Sequence, residues 1–329
     1  MKKVKIIGTG SYLPRLRIRT EELIKNYGLN ADAEKVKNVV GIHFRHWCDQ
    51  TETTSTMGAI ALQRAMENSH IKAGDLTRII LGTSTADHTN LSSANKIQKL
   101  VGASCPAVDV VNACSSFMFA LDYAILAANE GDYIAVVGAD TKSRFVNKND
   151  QRFLPIFGDG AAAWIVKKNK GDSGFGIPFL YTDGTKYDLL LNPAGGSALP
   201  ASYETVENGL HATNLSDSIS GLDLVSEAVD TLSYLTKRCL YLNNKSANEV
   251  DFFVFHQANA LILKGVQKKL GLCDSQLAIS IEHTGNIVSA CIPYTYNQLV
   301  FNKQISKGQK VVFASAGAGS SGGSFYYEE

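Results

Sequence analysis

Three residues of this 329-residue chain have the types and neighbourhoods that acyl-transfer chemistry uses. Cys114 sits in VDVVNACSSFMFAL, where a β-rich run turns directly into an apolar helical one. A cysteine at such a junction lies at a helix N-terminus, where the dipole and free backbone N–H groups favour thiolate. A thiolate there exchanges acyl groups with a thioester at little change in bond energy and holds the acyl group until a second substrate arrives. His256, in FFVFHQANALIL, closes a buried apolar run. Read alone it is a hydrogen-bonded core histidine; beside a nucleophile it is a donor or base. Asn286, in EHTGNIVSACIP, follows Gly285 and precedes a helical run, so by itself it reads as an N-cap.

Two glycine turns accompany these residues. Gly158, Asp159 and Gly160 in FGDGAAAWIV bring two backbones close and support a site without touching substrate. The C-terminal SAGAGSSGG offers N–H groups that could face an oxyanion. The remaining cysteines (Cys48, Cys105, Cys239, Cys273, Cys291) form no CxxC pair and read as small, reduced, buried hydrophobes.

Short apolar runs alternate with helical stretches, the βαβ pattern of an α/β protein with a sheet covered on both faces. KVKIIGTG, TRIILGTST, PAVDVVNA and DYIAVVGAD are expected strands of a first half, and AAAWIVKK, EVDFFVFH and QKVVFASAG of a second. TSTMGAIALQRAMENSH, SFMFALDYAILAANEG, LDLVSEAVDTLSYLTKRCLYL and ANALILKGVQKKLGL have helical spacing. The order strand, helix, strand, helix, strand runs over 76–140 and recurs over 250–315, with AISIEH as the middle strand of the repeat, which implies an internal duplication. Cys114 and the Asn286 region fall at equivalent points of the two copies. The expected division is 1–170 with the nucleophilic cysteine, a hairpin and loop insertion over 171–220, and 221–329 with the histidine and asparagine.

Lys and Arg number 32 against 31 Asp and Glu, a formal charge of +1, which argues against nucleic acid or an anionic membrane as a whole-surface partner. No apolar run is long enough to span a bilayer, and the N-terminus breaks at Gly8, Gly10 and Pro14, so a cytoplasmic location is expected.

Taken together, NACSS, FGDGA, HQAN, HTGN and the terminal glycine turn resemble the β-ketoacyl-acyl-carrier-protein synthase III family of the thiolase superfamily over nearly the whole chain. The resemblance implies an α/β thiolase-like fold of two similar βαβαβ halves in a five-layered α-β-α-β-α core. It implies an acyltransferase of the condensing type, which joins a cysteine-bound primer to malonyl-acyl carrier protein by decarboxylative Claisen condensation. By that resemblance Cys114 takes the primer, while His256 and Asn286 hold the malonyl thioester oxygen and stabilise the enolate, at about 3–4 kcal/mol per donor in comparable oxyanion holes. The backbone N–H groups of Cys114 and Ala318 hold the oxygen of the acyl-cysteine. No tightly bound cofactor or metal is implied; the substrates are acyl-carrier protein or acyl-coenzyme A, and the partners are acyl carrier protein and a second copy of the chain.

The chain also departs from the family. The adenine-clamping Trp and Arg that precede the family's GIxxRH segment are replaced by Lys35 and Val39, and an Arg near the FGDGA turn by Gln151, next to Arg152. Asn90 stands where the family places a Phe that closes the partner's acyl pocket. Lys264, Lys268 and Lys269 lie on the helix that follows His256, read either as a solvated face or, on the resemblance, as the carrier-protein dock. Two other functions fit the same fold: an acyltransferase onto an alcohol or amine, and a non-catalytic partner subunit. The first has no enolate for Asn286 to stabilise, and the second has no use for the three residues retained.

Overall fold

The computed structural model describes residues 3–168, 170–216, 218–317 and 321–329. Its first sheet holds β1 (Val4–Tyr12), β2 (Arg78–Gly82), β3 (Ala107–Val110), β4 (Tyr133–Asp140) and β5 (Gly160–Lys168), in the order β1-β5-β4-β2-β3. β2 runs parallel to β3 and β4, and β5 runs antiparallel to β1 and β4. The second sheet holds β6 (Gly174–Phe175), β7 (Phe179–Thr182), β8 (Phe252–Phe255), β9 (Lys310–Gly317) and β10 (Ser321–Glu328). There β8 runs parallel to β9, β9 antiparallel to β10, and β10 antiparallel to both β6 and β7. The same order therefore occurs twice, with β8, β9 and β10 in the places of β2, β4 and β5.

Two helices lie between the sheets, α3 (Ser116–Ala127) and α6 (Cys291–Phe301). Their burial follows from sequence: Phe117, Met118, Leu121, Ile292 and Tyr296 join Trp164 and Phe313 of the two sheets in one core. Glycines let them in. A Cβ at Gly82 would meet Phe117 N at 2.6 Å, and one at Gly138 would meet Ser289 O at 2.6 Å, both closer than packed atoms allow. Outside the first sheet lie α1 (Thr54–Ser69) and α2 (Ser93–Val101), and outside the second α4 (Gly221–Leu242) and α5 (Ala260–Leu270), each over its own apolar cluster. The layers run α-β-α-β-α.

Three expectations change. AAAWIVKK is β5 of the first sheet, beside β1 and β4, and so closes the first half. AISIEH is not a strand: one bridge, Phe253 to Leu277, precedes it, and Ile281–Thr284 is helical. The buried Gln257 side chain explains this, because its Oε1 accepts from the N–H groups of Ser280 (2.9 Å) and Ile281 (3.3 Å), taking up donors that a ladder would use. The segment 171–220, expected as an insertion, begins with β6 and β7, which complete the second sheet; Phe175 is buried against Tyr327 with ring centroids 4.7 Å apart. The rest of that segment holds a paired Leu190–Leu191 and Asn214–Leu215 and a short helix, Tyr203–Glu207. β10 arises from SGGSFYYE, where glycines masked a strand: a Cβ at Gly322 would lie 2.3 Å from Ser315 O.

Candidate active site

The chain enters α3 through a single 3₁₀ turn, Ala113–Ser115, with Cys114 at its centre. Ala113 is held at φ 46°, a left-handed conformation costly for a residue with a Cβ. Side chains around the turn hold it there. Ser116 Oγ accepts from Asn112 N at 2.8 Å, Ser115 Oγ donates to Ser321 O at 3.0 Å, and Ser315 Oγ donates to Cys114 O at 3.1 Å. Gly317 keeps the space above the turn open, since a Cβ there would come within 3.3 Å of Cys114 N.

The second copy repeats the device. Val288 is left-handed at φ 52°, and the 3₁₀ turn Val288–Ala290 leads into α6. Ser289 occupies the place of Cys114, its N–H donating to the buried Asp140 carboxylate at 3.0 Å. Asn286 stands just before this turn. Its backbone is fixed against the FGDGA turn, with Asn286 N donating to Ile156 O (2.9 Å) and Gly158 N to Asn286 O (3.0 Å). Gly158 is required by that approach: a Cβ would lie 2.2 Å from Thr284 O.

Cys114, His256 and Asn286 line one cavity of about 490 Å³, together with Phe157, Leu222 and Gly317. His256 follows β8 directly, its N–H donating to Ala314 O at 2.9 Å. The ring is 2% exposed, and neither of its nitrogens has a hydrogen-bond partner among the described residues. Such a group normally finds one, so an unpartnered imidazole at a cavity wall is available to a ligand. Burial drops its pKa to about 4, which keeps the ring neutral, with one N–H to donate. The Asn286 amide is oriented by its neighbours: Oδ1 accepts from Val288 N at 2.9 Å and from the Cys291 thiol at 3.6 Å. The NH₂ end is left to donate.

The thiol departs from expectation. Burial pushes the Cys114 pKa up to about 12, against a downward pull from Lys142, so enclosure outweighs the helix terminus in the free protein. Among the described residues no cluster of ligands suited to a metal ion is present, and no helix is long and apolar enough to cross a membrane.

The other candidates are dispersed. Ala318 lies outside the described residues. Asn90 is exposed between β2 and α2, beside the exposed Leu91, and does not line this chain's own cavity. Lys35 and Val39 are exposed in the segment leading to Val40, which does line it. Gln151 is exposed, while Arg152 reaches the cavity and pairs with Asp150 at 2.9 Å. Lys264 and Lys268 are exposed on α5, and Lys269 is paired with Asp230 at 2.5 Å. Four contributing residues carry little signal in the sequence. Gln257, within HQAN, holds the N–H groups of Ser280 and Ile281, and Leu189, Leu190 and Leu215 of the 171–220 segment wall the cavity. The only sequence signal of these leucines is apolar residues inside a polar loop.

Two family models match: 3-oxoacyl-[acyl-carrier-protein] synthase III over residues 108–184, and the C-terminal part of the same family over 240–328. The chain is 34% identical over 325 residues to a beta-ketoacyl-[acyl-carrier-protein] synthase III of Vesicomyosocius okutanii, covering 98% of each chain. It is also 34% identical to the synthase III of Escherichia coli O9:H4, covering 97% of this chain and 98% of that one. The crystal structure of 3-oxoacyl-[acyl-carrier-protein] synthase III from Aquifex aeolicus VF5 superimposes with a TM-score of 0.87 at 25% identity, covering 99% of this chain and all of that one (100%).

Proposed function

The chain belongs to the 3-oxoacyl-acyl-carrier-protein synthase III family, a group of thiolase-fold condensing enzymes, and from that premise we propose how its residues divide the reaction. The activity is decarboxylative Claisen condensation of an acyl primer with a malonyl thioester, giving a 3-oxoacyl thioester. In the first half-reaction Cys114 sulfur attacks the primer thioester, the acyl–sulfur bond of the donor breaks, and the donor thiol leaves with the proton that Cys114 lost. In the second, the malonyl thioester oxygen accepts from the neutral His256 ring and from the Asn286 amide. Carbon dioxide departs, the electron pair it leaves forms the enolate, and the enolate carbon attacks the acyl-cysteine carbonyl and expels Cys114 sulfur. The first copy of the repeat supplies the nucleophile and the second the two donors.

The observation that carries this reading is the pair of donors, His256 and Asn286, unengaged among the described residues and facing one cavity with the thiol. Asn286→Ala should still accept an acyl group on Cys114 while releasing carbon dioxide from malonyl thioester about a hundredfold more slowly, the loss expected for one oxyanion donor. Parallel loss of both half-reactions would make Asn286 a folding residue instead.

Acyl carrier protein is the partner that brings malonyl, and a second copy of the chain completes the assembly. The edge strand β3 supports the dimer: its outer side has no strand partner among the described residues, and Val108, Val111 and Leu91 beside it are exposed by 36%, 72% and 61%. Across that edge Asn90 would reach the other subunit's cavity and give its acyl end a polar wall. Sedimentation at micromolar concentration should find a dimer, and an active monomer would dismiss it.

A further inference from the structure

Lys142 is a charged group close to Cys114 that the mechanism above leaves unused. It sits two residues past Asp140, in the 3₁₀ turn Lys142–Phe145 that follows β4. Its side chain makes no hydrogen bond or ion pair among the described residues. Its ammonium lies 5.6 Å from the centroid of the Phe157 ring, and Phe157 walls the cavity that holds Cys114. A partly buried lysine normally finds an anion. The nearest candidate, Asp140, is already saturated: Oδ1 accepts from Thr83, Ser84 and Thr85, and Oδ2 from Ser289.

We infer that Lys142 is the counter-charge of Cys114 in the acylation step, a positioning residue that acts through the sulfur. The inference rests on Cys114 being the nucleophile. The ionisable groups that act on the two side chains support it. Burial lowers the Lys142 pKa while Cys114 and Asp140 pull it up; burial raises the Cys114 pKa, Lys142 pulls it down and Asp140 pushes it further up. His256, on the same cavity, is neutral, and Lys142 is the cation among the described residues that acts on the thiol. Negative charge builds on sulfur as Cys114 gives up its proton. The fixed ammonium stabilises that charge in an enclosure of low polarity, where Coulomb attraction is strong. The proton from Cys114 ends on the departing thiol, and the growing charge on sulfur in turn favours the ammonium form of Lys142.

The test is the pH profile of Cys114 alkylation by iodoacetamide, read by intact mass on full-length wild type, Lys142→Met and Lys142→Arg, with folding checked by far-ultraviolet circular dichroism. Lys142→Met should slow alkylation about tenfold across the neutral and mildly alkaline range, the size set by one nearby opposite charge. Lys142→Arg should keep most of the wild-type profile. A Lys142→Met profile that overlays wild type overturns the inference and leaves Cys114 as the nucleophile. Equal loss in both folded variants also overturns it, because packing and not charge would then be at work. If wild-type Cys114 accepts no acyl group from any thioester, the reading beneath the inference fails instead.

Discussion

At the scale of single residues, the proposed reaction depends on donors left unsatisfied in the free protein. Among the described residues His256 is buried with no partner on either nitrogen, and Asn286 has its carbonyl occupied and its amide free. The pKa near 4 for His256 carries a sign that can be checked. An unfolded histidine titrates near about 6.5. Between the two values the unfolded chain binds a proton that the folded chain does not, so His256 favours folding fully above pH 6.5 and progressively less as pH falls towards 4. Decarboxylation by a Cys114→Ala variant, which isolates the second half-reaction, should therefore show no inflection between pH 6 and 8. A drop with midpoint near 6.5 would mean a solvated, titrating ring and would remove His256 as a neutral donor. Cys114, His256 and Asn286 could be singled out in sequence because each sits at the end of a strand-like run within a motif. The height of the Cys114 pKa could not, because burial comes from Phe157 and the leucines of a distant loop. Lys142 was invisible for the same reason: nothing in ADTKSRF marks a lysine that lacks an anion.

At the scale of elements, the apolar runs of both halves were legible, since Val- and Ile-rich strands and helices apolar on all sides follow from a sheet covered on both faces. AISIEH failed because a side chain, Gln257, took the donors of Ser280 and Ile281, a tertiary effect absent from strand propensity. The donor preference belongs to this scale. With Lys35 and Val39 in place of an aromatic and a guanidinium beside the cavity mouth, coenzyme A should lose roughly tenfold to a thousandfold in binding, from about 1–2 kcal/mol for each missing contact. Carrier protein has no adenine to lose, and the exposed Lys264 and Lys268 of α5 can meet its acidic surface; Lys269, held by Asp230, contributes less. Acylation from carrier protein should therefore be faster than from coenzyme A with the same acyl chain, and should slow more steeply with salt. Faster acylation from coenzyme A, with equal salt sensitivity, would remove both parts of the argument.

At the scale of the whole molecule, duplication explains why the chemistry sits where it does. Each copy delivers a left-handed residue, a 3₁₀ turn and a helix into the middle layer, so Cys114 and Ser289 come to equivalent points. In the proposed reaction one copy supplies the nucleophile and the other the donors around that point. The twofold character was visible in the order of runs, whereas the strand that ends the chain was hidden by glycines that close packing demands at Gly322. The central claim is that one thiol of six carries the acyl group between the two half-reactions. Intact-protein mass spectrometry tests it most directly, on wild type and Cys114→Ala incubated with acyl-carrier protein and then with malonyl-carrier protein. Wild type should gain the mass of one acyl group and lose it when malonyl-carrier protein is added, as carbon dioxide appears, while Cys114→Ala gains nothing. An acyl adduct that forms on Cys114→Ala at the wild-type rate would contradict the account.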